Sequence, residues 1–121
     1  MDTNIGEKFI QYLAARDYEK MSGLFHDSVT ARLLIPGGLL TVYTSESLMN
    51  KINGWFADSD IFELKDYIIS QPGGKLGIRY RFTGRENGKS YIVEQQTFSR
   101  LLDGRITAFD LLCSGFQDFN G

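Results

Sequence analysis

The apolar positions change period part-way along the chain. Up to about residue 56 they recur mostly at helical spacing, and from Ile61 onward they follow extended runs separated by turn residues. Ile5, Phe9, Tyr12 and Leu13 share one face of a first helix, with Asn4 as N-cap and Glu7 completing a variant of the capping box. Asp17 caps a second, short helix whose apolar stripe is Tyr18, Met21, Leu24 and Phe25. Residues 29–35 and 39–43 read as short extended runs on either side of a Pro36-Gly37-Gly38 turn. Ser45 caps a third helix, which buries Leu48, Met49, Ile52, Trp55 and Phe56 and ends around Asp58-Ser59-Asp60.

Four extended runs follow, 61–70, 75–84, 90–102 and 105–116, separated by Gln71-Pro72-Gly73-Gly74, Glu86-Asn87-Gly88 and Asp103-Gly104. Asn-Gly and Asp-Gly between strands favour hairpins, because both residues tolerate positive φ. The connections are too short for parallel crossovers, so the second half reads as an antiparallel meander. The expected architecture is α+β, with helices packed on one face of a long curled sheet.

Composition narrows the function classes. The 121 residues are expected to form a single domain, 1–121, and Leu, Ile, Val and Phe make up 35 of them, enough for a core without staples. Thirteen basic against fifteen acidic residues give a net charge of −2, which argues against a nucleic-acid partner. One cysteine, Cys113, excludes an internal disulfide, and one histidine, His26, excludes a multi-histidine metal centre; no cofactor is expected. No run of about 20 apolar residues and no leader-type segment is visible, so the expectation is a cytoplasmic protein with no membrane partner.

Three segments carry a resemblance. Asp17-Tyr18-Glu19-Lys20-Met21 leads into Leu24-Phe25-His26-Asp27-Ser28-Val29, Pro36-Gly37-Gly38 follows, and Leu102-Asp103-Gly104-Arg105-Ile106 precedes the last strand. Together they resemble the nuclear transport factor 2-like superfamily, which includes SnoaL-like polyketide cyclases and ketosteroid isomerase-like proteins. The resemblance implies a cystatin-like cone, with three N-terminal helices packed on a curled, mostly antiparallel sheet. It further implies a conical pocket for a small apolar or amphipathic ligand and a homodimer through the convex sheet face, where Ile106, Ala108 and Leu112 mix with Gln95, Thr97 and Asp110. At the positions matching the isomerases' oxyanion groups and base the chain holds Phe9, Gln96 and Leu33 or Leu34, so that mechanism is not expected. Leu111 stands where epoxide-hydrolase-like members have an acid, with Asp110 one step off and facing the other way.

Strand parity ranks the polar residues. A two-residue Asp103-Gly104 turn pairs Phe98 with Phe109, Gln96 with Leu111 and Glu94 with Cys113. A three-residue Glu86-Asn87-Gly88 loop pairs Tyr80 with Glu94, whereas a two-residue Asn87-Gly88 turn pairs Arg81 with Glu94. The first register gathers Ile78, Tyr80, Phe82, Ile92, Phe98, Phe109 and Leu111 on one face and is preferred. It makes Glu94, Gln96 and Tyr80 the candidate catalytic residues: an acid/base whose pKa burial would raise, and two groups to hold a substrate oxygen. Phe9, Tyr12, Phe25, Trp55, Phe56, Ile78, Phe82, Phe98, Phe109 and Leu111 are the candidate ligand-binding wall. The bland alternative is Glu94 paired with Arg81 and Gln96 as a core amide.

His26 reads as a cap or surface residue at a helix end, and Cys113 as a small buried filler. Lys75, Arg79, Arg81 and Arg85 form a basic stripe offset by Glu86, Glu94 and Asp110. The expected function is small-molecule binding of SnoaL-like type, with isomerase, cyclase or hydrolase chemistry on a small hydrophobic substrate. The alternative is a non-catalytic dimerisation or interaction module. An open cavity favours the first and a filled one the second.

Overall fold

A computed structural model describes residues 3–119, with Thr3 described by its backbone alone. Helix α1 spans Thr3–Ala14 and α2 Tyr18–Ser22; strands β1, Phe25–Ile35, and β2, Gly38–Val42, precede α3, Ser45–Phe56. Strands β3, Ser59–Ser70, β4, Leu76–Glu86, β5, Lys89–Leu102, β6, Arg105–Cys113, and the short β7, Gln117–Asp118, complete the chain. The class is α+β as expected. The helices do not form one N-terminal block, because the β1–β2 hairpin separates α2 from α3.

Local chemistry explains most boundaries. The Asp17 side chain accepts from the Lys20 N–H at 3.2 Å, capping α2. Thr44, one residue before the expected Ser45, caps α3 by accepting from the Ser47 N–H at 3.1 Å. Asn4 lies inside α1, and Glu7 accepts from the Tyr67 hydroxyl at 2.8 Å. Leu24 and Phe25 leave the α2 stripe, since β1 begins at Phe25, yet Phe25 still reaches the core. His26 accordingly sits on a strand, exposed, with Nδ1 accepting from the Ser28 N–H at 3.1 Å.

The sheet runs in the order β2-β1-β6-β5-β4-β3, with β7 pairing β5, and all ladders are antiparallel except β1 with β6. Alternation along each strand sends one set of side chains into the helix-covered core and the other to an outer face. On β4 and β6 the residues expected inward are inward, Ile78, Tyr80 and Phe82, and Phe109 and Leu111; Ile106, expected outward, joins them.

On β5 the parity is reversed. Glu86 pairs with Lys89 around a two-residue Asn87-Gly88 turn, both with positive φ, so Arg81 lies opposite Glu94 and Tyr80 opposite Gln95. At the other end Leu102 pairs with Arg105 as expected. A bulge at Thr107 then sets Arg100 opposite Ala108 and Ser99 opposite Phe109. The tight turn and the bulge each set β5 one residue away from the expected register, and a one-residue slip changes the face of every side chain. Tyr91, Val93, Gln95, Thr97 and Ser99 face in, while Ile92, Glu94, Gln96 and Phe98 face out.

Candidate functional site

The structure brings most of the expected aromatic wall together. Phe9 from α1 packs against Tyr80 and Phe109 with ring centroids 5.9 Å away in each case, and Phe25 lies 5.3 Å from Phe109. Phe56 and Phe82 belong to a second cluster nearer the α3 end, where Phe62 stacks on Phe82 at 4.2 Å and the Arg16 guanidinium lies 5.4 Å from the Phe62 ring centre. Ile78 and Leu111 complete the interior, and Tyr12 and Trp55 are half-buried at its margin. Phe98 is a correction: it belongs to the outer face.

These rings fill the space they surround. A side chain bordering a void that admits water keeps accessible surface there. Phe9 and Phe109 are 0 % exposed, and Ile78, Tyr80 and Leu111 are 1 % exposed. The interior at this level is packed side chain.

One polar pair lies within it. The Tyr80 hydroxyl donates to Gln95 Oε1 at 2.7 Å, and Gln95 Nε2 donates to the Cys113 sulfur at 3.3 Å. Burial first, and the nearby Cys113 second, push the Tyr80 hydroxyl well above the ordinary tyrosine range, so it stays a proton donor. Cys113 is half-buried rather than a core filler, and its sulfur also accepts from the Gly115 N–H at 3.4 Å. Further along the inward side of β5, the Thr97 and Ser99 hydroxyls are buried without a hydrogen-bond partner among the described residues.

The structure turns two of the three candidate catalytic residues to the outer face. Glu94 points outward and forms an ion pair with Arg81 at 3.1 Å, with Asp66 on the other side of the same guanidinium at 3.7 Å. Gln96 faces outward opposite Leu112. The inward amide is Gln95, the residue between them, and only the unpreferred register would have found it. Among the positions weighed against the isomerases, Leu33 is the inward one, while Leu34 is 47 % exposed.

The outer face has its own relief. Arg32 grips Asp110 with two hydrogen bonds of 2.7 Å, holding that carboxyl below the usual range chiefly through the hydrogen bonds. Beside this pair a depression of about 290 Å3 is lined by Leu34, Leu39, Phe98 and Leu112. Ile106, Gln95 and Thr97, expected on this face, are buried on the other; Ala108, Asp110 and Leu112 remain on it. Of the basic stripe, Arg85 is engaged by Asp60 at 2.6 Å and Arg81 by Glu94 and Asp66.

A candidate polyketide cyclase from Xanthomonas campestris pv. campestris superposes with a TM-score of 0.75 at 15 % identity, covering 91 % of this chain and 87 % of that one. The chain has the nuclear transport factor 2-like fold. A Catenulispora acidiphila protein of ketosteroid isomerase-like fold, in complex with trimethylamine, shares this nuclear transport factor 2-like architecture with a TM-score of 0.74 at 15 % identity over 92 % and 85 % of the two chains. A candidate SnoaL-like polyketide cyclase from Shewanella putrefaciens matches with a TM-score of 0.72 at 9 % identity, over 92 % and 88 %. No family model and no curated protein matches the sequence. Among the described residues, no helix is long and apolar enough to cross a membrane. No group of three His, Cys, Asp or Glu side chains among them is placed to hold a metal ion.

Proposed function

We propose that this nuclear transport factor 2-like chain is an association module that pairs with a second copy through the outer face of its sheet. The observation that carries the reading is the apolar depression formed by Leu34, Leu39, Phe98 and Leu112 beside the Arg32–Asp110 pair. Contiguous apolar side chains left in water mark contact surfaces. The same face carries both signs of charge, in Arg32 with Asp110 and Arg81 with Glu94, which suits a two-fold contact where a patch meets its own image. The interior supports the reading from the other side, because Phe9, Phe25, Tyr80 and Phe109 pack ring against ring there with almost no exposed surface.

A second reading, a small apolar ligand held inside with acid/base chemistry, has one specific support. Tyr80 and Gln95 form a polar pair among apolar walls, in a fold shared with candidate cyclases. On that reading the Tyr80 hydroxyl holds the substrate oxygen, and the packed rings must part to admit it.

Sedimentation equilibrium tests the first reading, with native mass spectrometry for the second. The expected mass is twice 13.7 kDa, returning to a single chain in Leu112→Glu with circular dichroism unchanged. A monomeric wild type at high concentration overturns the pairing. A ligand that co-purifies and is lost in Tyr80→Phe favours the second reading.

A further inference from the structure

We infer that the Lys75–Arg100 corner of the sheet binds a compact phosphate group, as a small phosphomonoester presents it. Leu76 and Ser99 are the last ladder pair between β4 and β5, and both are buried on the inner face. Lys75, in extended backbone just before β4, and Arg100, one residue past Ser99 on β5, line the same recess. Like charges brought to one recess repel each other. Neither cation has an ion pair among the described residues. Asp110 feels both, yet it is already gripped by Arg32. With Arg32 and Asp110 cancelling, Lys75 and Arg100 leave the corner net positive.

These charges flank a recess. A depression of about 330 Å3 is lined by Gly73, Gly74, Lys75, Arg100 and Leu101, at the lower end of the range of roughly 300–1,000 Å3 for small-ligand sites. Its glycine rim is bare backbone: a Cβ at Gly73 or Gly74 would meet nothing within 4 Å, so a ligand can approach closely. Arg100 offers a planar fork that matches two phosphate oxygens, and Lys75 a compact third donor. A phosphomonoester carries a charge of about −1.5 to −2 at neutral pH, which matches the net positive charge of the corner. Bound there, it bridges the two cations that line the recess.

The inference does not rest on self-association, and sedimentation of the same samples keeps the two questions apart. Amide shifts are followed by NMR while inorganic phosphate, then glycerol 3-phosphate, is added at fixed ionic strength against sodium chloride. Shifts are expected at Gly73, Gly74, Lys75, Arg100 and Leu101, with affinity falling at least tenfold in Lys75→Gln/Arg100→Gln. Each single variant is expected to gain less melting temperature from phosphate than wild type does. Vesicles of phosphatidylcholine with phosphatidate decide the source. Co-sedimentation lost in the double variant assigns a lipid headgroup, and binding of the soluble phosphates without it assigns a free metabolite. Shifts spread over Arg79, Lys51 and Lys89, chloride reproducing the effect, or a double variant that binds like wild type overturns the inference.

Discussion

The Tyr80 hydroxyl and the Gln95 side chain meet at 2.7 Å in a part of the core that water does not reach. Removing one partner leaves the other buried and unsatisfied, which costs about 1–3 kcal/mol, whereas removing both is nearly neutral apart from packing. Tyr80→Phe and Gln95→Leu are each expected to be destabilised by that order, and the double variant by less than the two together. Urea unfolding of the four proteins measures the coupling. Strictly additive effects would remove the bond from the account.

Tyr18 is the opposite case. Its hydroxyl is buried with no hydrogen-bond partner among the described residues, and burial, opposed by the Arg16 charge, pushes its pKa up to about 12. The unfolded chain loses this proton near pH 10, before the folded one does, so the protonated fold's advantage is intact below that value. It is lost as pH rises from there through the folded value. Tyr18→Phe is expected to be more stable by about 1 kcal/mol at neutral pH and to unfold less readily above pH 10 than wild type. Denaturation midpoints at pH 7 and pH 11 check both parts.

Gly84 makes room for the Tyr91 phenol, which shares a 2.7 Å hydrogen bond with the Ser59 hydroxyl. A Cβ at position 84 would overlap the Tyr91 hydroxyl and lie 2.6 Å from the Ile61 carbonyl oxygen of the neighbouring strand. Gly84→Ala is expected to cost at least about 1–3 kcal/mol, the range for overpacking. Adding Tyr91→Phe recovers only part of it, because the Ile61 backbone cannot withdraw. Thermal melts of the single and double variants give the answer.

Phe9 closes the interior. Phe9→Ala is expected to lose about 3–5 kcal/mol and to open a dry cavity between Tyr80 and Phe109. Small apolar probes such as benzene or indole should raise the melting temperature of this variant and leave that of wild type unchanged. A shift in wild type of the same size would mean that the interior already opens to ligands.

Glu94 shows why a site is harder to read than a fold. Helical spacing around Phe9 and Leu48, the Asp17 cap and the Asn-Gly and Asp-Gly turns are local signals, and local signals fix which elements form. They also place Phe9 and Leu13 of α1, Leu48 and Phe56 of α3, Ile78, Tyr80 and Phe82 of β4, and Phe109 and Leu111 of β6 in the core, since burial there follows from each element's own pattern. The face of β5 is not decided locally. Along it, Ile92, Glu94, Gln96 and Phe98 alternate with Tyr91, Val93, Gln95 and Thr97, and each set mixes apolar with polar side chains. The hydrophobic effect separates the two sets too weakly for the strand to choose alone. The choice was made by its neighbours, through the tight turn at Asn87-Gly88 and the extra residue at Thr107. Two residues of turn and bulge geometry put Gln95 beside Tyr80 and Glu94 beside Arg81, because pairing register is a property of two strands and side-chain parity obeys it.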